Sequence, residues 1–325
     1  MKKPRIALVL SCTLALCLPA PSLAQGAKVP ATLRLDWVPG PHHIGPVLAS
    51  QRGYYAQEGI ELAVRPGKGS GSTIQVVASG SEEFGFADAG AMVLAVSKGV
   101  PVIMVANITQ LGPNGVITLD RQLQSPKELT GKTIGLVPGE SAHVSLQAVA
   151  KANALPEGAY RIVSTDASTK IAALLTGKVD AIVGFRFGDF LRAYSQNPNV
   201  KIALFSDWGV NVLANGYVVT TATLEKNPEL VQRFLRATMR GWQDTIKDPK
   251  AGIDALVKEF PETNRRFIEM GLPMVIEHMH SRATKGKPLG WMAEEDWKST
   301  LETMKSSGLQ GDRPPGAYYR NLIQQ

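Results

Sequence analysis

The chain has 325 residues, 44% of them hydrophobic and 19% charged. That make-up fits one to three folded domains and excludes a disordered chain. The formal charge of +7 is mild and its lysines and arginines are interleaved with acids, so no basic stripe or base-stacking motif argues for nucleic acid.

Lys2, Lys3 and Arg5, an apolar run over residues 6–18 and the small-x-small stretch Ser22-Leu23-Ala24 read as a secretory signal peptide over residues 1–24. The run is short for a membrane-spanning helix. Leu16, before Cys17, is not the small residue that a lipoprotein signal wants. Both cysteines, Cys12 and Cys17, fall in this leader. The mature chain is therefore expected to lack disulfides, cysteine metal sites and cysteine nucleophiles. A cysteine-free exported protein of this size relies on its core and suits a bacterial periplasm.

Residues 33–62 predict a strand, a loop, a helix and a second strand. The first strand ends in Asp36 and Trp37, and a Val-Pro-Gly-Pro loop carries His42 and His43 to the start of a helix that runs to about residue 51. Such strand ends face the crevice where open α/β sheets bind ligands. The run Gly67-Lys68-Gly69-Ser70-Gly71-Ser72-Thr73 precedes a helix over residues 74–78. It is either a nest of backbone N–H groups for an anion or polar substituent, or a plain helix cap. It lacks the G-K-[ST] ending of a Walker A loop. A buried strand over residues 83–87 ends in Asp88, read as an N-cap, or as a residue that sets a helix N-terminus against the ligand.

The same grammar recurs further on. A strand over residues 133–137 leads through Pro138-Gly139-Glu140-Ser141-Ala142-His143 into a helix, and a strand over residues 179–183 runs into Gly184-Phe185-Arg186-Phe187-Gly188-Asp189-Phe190. A strand over residues 201–205 meets Asp207-Trp208-Gly209. After residue 220 the pattern turns helical, with Pro228 and Pro261 read as helix starts. Alternating strands and helices predict an α/β fold with parallel sheets covered on both faces. Two connecting strands, near residues 116–119 and 216–220, divide it. Residues 25–118 and 217–325 form one lobe, and 119–216 an inserted second lobe.

The patterns L-D-W-x-P-x-x-x-H-x-G and G-Y-Y-x-x-x-G-I-E-L, with F-G-F-A-D-A, S-P-K-E-L-T-G-K-T-I-G and A-L-L-T-G-K-V-D-A-I-V-G, resemble periplasmic substrate-binding proteins of bacterial ABC importers. The resemblance is to the clan that binds thiamin-pyrimidine precursors, nitrate, alkanesulfonates and taurine, and it covers about residues 31–220. It implies a hinged, two-lobed periplasmic binding fold, type II-like, that closes on a small molecule and docks on a membrane permease. It also implies that Trp37 and His43 hold a flat heteroaromatic ring, and that an acid near Asp189 engages ring nitrogens. The synthesis enzymes of the clan carry a cysteine-rich stretch that the mature chain lacks, so binding rather than catalysis is expected.

Candidate ligand contacts are thus Trp37, His43, Ser70, Gly71, Ser72, Asp88, Gly139, Glu140, Ser141, Arg186, Asp189 and Trp208. Trp37 can stack on a ring, and Trp208 can close a sandwich opposite it. Glu140 suits an amine, or serves only as a first-turn charge. Arg186, if it faces the cleft, offers a fork for a carboxylate or sulfonate. Asn211 and Asn215 read as hinge or ligand contacts. The scattered histidines do not make a zinc site, and no G-x-S-x-G elbow marks a hydrolase. No cofactor is expected and the chain reads as a monomer. The expected ligand is a planar heterocycle, with a sulfonate or carboxylate, or a sensor role, as the alternative.

Overall fold

The structure is a computed structural model that describes residues 28–138, 140–306, 308–309 and 312–323. The expected leader, residues 1–24, lies outside the described residues. Two five-stranded sheets organise the chain. The first has the order β2-β1-β3-β10-β4, with β1 Val29–Arg34, β2 Ile60–Arg65, β3 Phe84–Asp88, β4 Val102–Asn107 and β10 Asn215–Thr220. The second has the order β7-β6-β8-β5-β9, with β5 Asn114–Thr118, β6 Thr133–Leu136, β7 Arg161–Ser164, β8 Ala181–Phe185 and β9 Lys201–Leu204.

The sheets are mixed, not parallel. β1 pairs parallel with β2 and β3, but β10 runs antiparallel to β3 and β4, and β5 antiparallel to β8 and β9. β5 and β10 bring the chain from one sheet into the other. Each enters at the cleft edge, where Asn215 pairs with Asp88 and Asn114 with Phe185, so each runs away from the edge its neighbours approach. β5 was expected to end the first lobe. It sits inside the second sheet instead, and the crossing is made before it, between Asn107 and Asn114. Both strands open on Asn-Gly for a steric reason. A Cβ on Gly115 would lie 2.5 Å from the Ala203 carbonyl oxygen, and one on Gly216 2.3 Å from that of Ala106.

Helices cover both sheets. In the first half they are α1 Ile44–Gln51, α2 Tyr54–Gln57, α3 Ser70–Ala78, α4 Ala89–Ser97, α5 Ser141–Ala152 and α6 Lys170–Leu175. They continue with α7 Leu191–Gln196, α8 Thr221–Lys226, α9 Pro228–Lys247, α10 Pro249–Glu259, α11 Arg265–Glu277 and α12 Glu294–Ser306. Pro228 opens α9 as expected, whereas Pro261 lies in a turn ahead of α11, whose N-cap is Asn264. The amphipathic α9 lays Phe234 on Phe84, with ring centroids 3.8 Å apart, and sends the indole of Trp242 to the Tyr217 hydroxyl at 3.1 Å. Burying side chains of that size contributes about 1.5–3 kcal/mol each. This packing fixes α1, and α1 fixes the loop that carries the two histidines.

Candidate functional site

β1 delivers Asp36 and Trp37 to the cleft edge. The Asp36 and Trp37 carbonyls accept from the Gly69 and Gly67 amides at 2.6 and 3.1 Å, which ties the glycine-rich loop to the strand end. Buried Asp36 accepts from His43 Nε2 and from Asn215 Nδ2, both at 2.8 Å. The Gly40 amide donates to His43 Nδ1 at 3.1 Å, so the proton of His43 resides on Nε2. Burial, together with the neighbouring His42, pushes His43 down to about 4 against the pull of Asp36, so the ring is neutral. Burial alone would raise Asp36, but the two imidazoles hold it well below the usual carboxylate range.

His43 is therefore a positioning group that does not line the cavity. Its neighbour does. His42 is 4% exposed, and neither of its ring nitrogens has a hydrogen-bond partner among the described residues, although Nε2 stands 3.6 Å from Asp36 Oδ1. It sits among Phe86, Phe185 and Phe187, with centroids 6.1, 5.9 and 5.2 Å away.

The second lobe supplies a buried charge cluster. Lys170, the first residue of α6, has no exposed surface, and its Nζ donates to Glu140 Oε2 at 2.5 Å and to the Val183 carbonyl at 2.9 Å. Asp189 Oδ2 lies 2.9 Å from the same nitrogen. Burial works against the lysine charge, yet the two carboxylates keep its pKa above the ordinary value. Glu140 also accepts from the Val137 amide at 3.0 Å. Burial and the charge of Asp189 push it up to about 7, against Lys170. The ammonium stands 5.2 Å from the Trp37 ring centroid, a cation–π contact that reaches from one lobe to the other.

Between these groups lies a cavity of about 390 Å³, its mouth included. Asp36, Trp37, His42 and Ser70 line it from the first lobe, and Glu140, Phe185 and Asp189 from the second. Trp37, Ser70, Glu140 and Asp189 are thus brought together. Ser70 accepts the Asp88 amide at 3.1 Å. Asp88 lies behind the wall as the N-cap of α4, taking the Ala91 amide at 3.1 Å. Burial, with the charge of Asp36, raises it to about 7. Gly71 faces an adjoining groove, and exposed Ser72 only closes its own turn on the Gly69 carbonyl at 2.8 Å.

Two expected contacts fall elsewhere. In the turn after β8, Phe187 takes the inward side, so Arg186 faces the rim and meets Glu277 at 3.4 Å. Trp208 packs half-buried on Phe205, with centroids 6.1 Å apart, and does not oppose Trp37. Ser141 opens α5, and Gly139 lies outside the described residues. The sequence reading missed Lys170 and Phe185 and set His42 aside. The one available signal for Lys170 was its place at the head of the wholly apolar helix Ile-Ala-Ala-Leu-Leu.

Asp36, His42 and His43 place one ligand atom each within 4.8 Å of one another, the sole such metal-sized group among the described residues. The Gly40 amide occupies His43 Nδ1 and the proton on Nε2 points at Asp36, so His43 has no lone pair for an ion.

A family described as NMT1/THI5 like matches residues 40–252. The riboflavin-binding protein RibY of Chloroflexus aurantiacus is 29% identical, over 90% of this chain and 84% of its own. The formylaminopyrimidine-binding protein of Halalkalibacterium halodurans is 26% identical, over 82% of each. Among solved structures, the alkanesulfonate-binding protein SsuA from Xanthomonas axonopodis pv. citri, bound to MOPS, shares the fold. Its TM-score is 0.69 at 17% identity, over 90% of this chain and 100% of that one.

Proposed function

We propose, given that this chain belongs to the NMT1/THI5-like family of the periplasmic substrate-binding clan, that its cleft captures a small planar nitrogen heterocycle for a membrane permease. The fold is that of the two-lobed binding proteins of bacterial ABC importers. The observation that carries the reading is the cavity wall itself. An indole and two aromatic rings line the cavity with Glu140 and Asp189, while Lys170, buried behind that wall, is already shared by both acids. Aromatic faces take a flat ring, and the spare carboxylate lone pairs accept from ring N–H or amine groups. The relatives described as binding riboflavin and formylaminopyrimidine support the same class.

A second reading has its own support. Lys170 stands behind the cavity wall, 5.2 Å from the Trp37 ring, and alkanesulfonate-binding proteins share the fold. A sulfonate or carboxylate would have to take a carboxylate's place on that ammonium, at the cost of leaving a buried acid unpaired. A sensor would use the same cleft, with a receptor in place of the permease.

A thermal-shift panel on the purified protein separates the readings. Riboflavin and aminopyrimidines form one arm, alkanesulfonates the other. Saturation at about a hundred times Kd adds roughly 2.7 kcal/mol of stability, which is readable as a melting shift. The first reading expects a shift with a heterocycle, its loss in Asp189→Asn and in Trp37→Ala, and near-normal binding in Arg186→Ala. A shift with alkanesulfonates alone, abolished by Lys170→Met, overturns it in favour of the second.

A further inference from the structure

The cavity has an acidic lining drawn from both lobes. Its charged side chains are Asp36 from the first lobe and Glu140 and Asp189 from the second, and no cation lines it among the described residues. Lys170 lies behind the wall, held by both second-lobe acids, with Asp189 meeting it through Oδ2 at 2.9 Å. Half-buried Arg192 feels the charge of Asp189, but it is committed to the Pro39 carbonyl at 3.0 Å and to the Phe267 ring. His42 adds a second observation. It lines the same cavity, is 4% exposed, and neither ring nitrogen has a hydrogen bond among the described residues, Nε2 standing 3.6 Å from Asp36 Oδ1. Polar atoms so buried are normally paired, and the cavity is the side from which a partner can come.

We propose that the cavity selects a cation: the planar heterocycle enters with a positive charge on its ring, or on an amino group conjugated with it, and with N–H donors at its edge. The inference rests on the heterocycle reading above and narrows it to a charge class. Closing the cleft draws carboxylates of opposite lobes together and strips water from them, and burying like charges without a counter-charge is costly. The one ammonium of Lys170 is divided between Glu140 and Asp189, and Asp36 is held by neutral groups, His43 and Asn215. A cation between the lobes supplies the missing charge in the closed form, which is the differential affinity that closure requires. The Trp37 indole favours the same guest, since its face attracts cations, Lys170 among them at 5.2 Å. Ionised carboxylates only accept hydrogen bonds, so the guest's edge has to donate, and a His42 nitrogen can take one of those N–H groups.

Ligand-observed NMR titration at about pH 8, where Glu140 is mostly ionised, tests this with three pyridines of similar size. 4-Aminopyridine is a cation there, 4-pyridone is neutral and isonicotinate is an anion. The aminopyridine is expected to bind at least about tenfold more tightly than the pyridone, and isonicotinate more weakly than either. Asp189→Asn and, separately, Glu140→Gln should bring the aminopyridine down to the level of the pyridone. Thermal melting checks that each variant folds, and a merely structural role would weaken both probes in parallel. Equal affinities for aminopyridine and pyridone, tighter binding of the pyridone, or a preference that survives in both variants overturns the charge class and leaves the heterocycle reading standing. Binding of none of the three also overturns it, and the thermal-shift panel then judges the heterocycle reading by itself. Tightest binding of isonicotinate, with alkanesulfonates alone active in that panel, overturns both proposals together.

Discussion

His43 gives Nε2–H to Asp36 and takes the Gly40 amide on Nδ1, whereas both nitrogens of His42 lie buried beside the cavity without a hydrogen bond among the described residues, Nε2 standing 3.6 Å from Asp36. The two rings therefore predict opposite phenotypes. His43→Ala removes a donor from buried Asp36 and should cost about 1–3 kcal/mol in urea unfolding. His42→Phe places a ring among three phenylalanines and should leave stability within about 1 kcal/mol, yet weaken the ligand about tenfold or more, a loss of roughly 1.4 kcal/mol. Comparable losses of stability in both would contradict the assignment. Asp88 gives a pH prediction. Its folded pKa is raised from 3.8 to about 7, so its contribution to stability is complete below about pH 3.8 and lost as pH rises through about 7. Asp88→Asn keeps the cap without the charge, and its stability relative to wild type should grow with pH in that window, by up to about 1.4 kcal/mol per unit. A pH-independent difference would remove Asp88 as the titrating group. Trp37, Glu140 and Asp189 were legible because strand-end loops advertise the cleft. His42 and His43 were not separable, since neighbours in a loop differ only by a backbone rotation that the sequence does not display. Lys170 reads as a solvated first-turn lysine until the fold brings Glu140 and Asp189 around it from 30 and 19 residues away.

At the scale of elements, the strand, glycine loop and helix order of the first sheet was readable from alternation and glycine punctuation, and α1 ends at Gln51 as expected. Strand direction was not readable, because periodicity marks which face is buried and not which way the chain runs. That is why the antiparallel β5 and β10 emerged only from pairing. The contact of α1 with α9 was also hidden, since its glycines lie 196 residues apart. A Cβ on Gly241 would stand 2.1 Å from the Gly45 carbonyl oxygen, and one on Gly45 2.4 Å from the Trp242 ring. Backbone meets backbone there, with no flexible side chain to yield. Gly241→Ala should therefore destabilise the protein by about 1–3 kcal/mol despite alanine's better helix propensity. Because α1 carries the histidine loop, ligand affinity should fall as well. Unchanged chemical denaturation would show that the two helices can part without cost.

At the scale of the molecule, the two lobes share a hinge that is itself hydrogen-bonded. The Ile108 and Thr109 amides donate to the Asn215 carbonyl, the Ala214 amide to the Thr109 carbonyl, and the Gly112 amide to Asn211 Oδ1. Asn211 thus serves the hinge, while Asn215 serves both hinge and site through Asp36. Apolar packing joins the lobes as well, with Phe185, Phe187 and Leu191 in the same core cluster as Leu35, Ile44 and Phe267, and polar groups bridge the cleft beside it. Lys170 faces Trp37, Arg192 donates to the Pro39 carbonyl at 3.0 Å, and Arg186 reaches Glu277. The second of these also stacks its guanidinium on Phe267 at 4.3 Å. A tied hinge favours rotation about the crossover strands over sliding of one lobe on the other. A ligand can drive that rotation only through its extra affinity for the closed form. Addition of a saturating ligand should therefore lower the radius of gyration measured by small-angle scattering, and Arg192→Ala should raise the ligand-free value by releasing the loop from the second lobe. Identical scattering with and without a ligand that binds would mean that the lobes are already closed, and that entry proceeds by some other local opening.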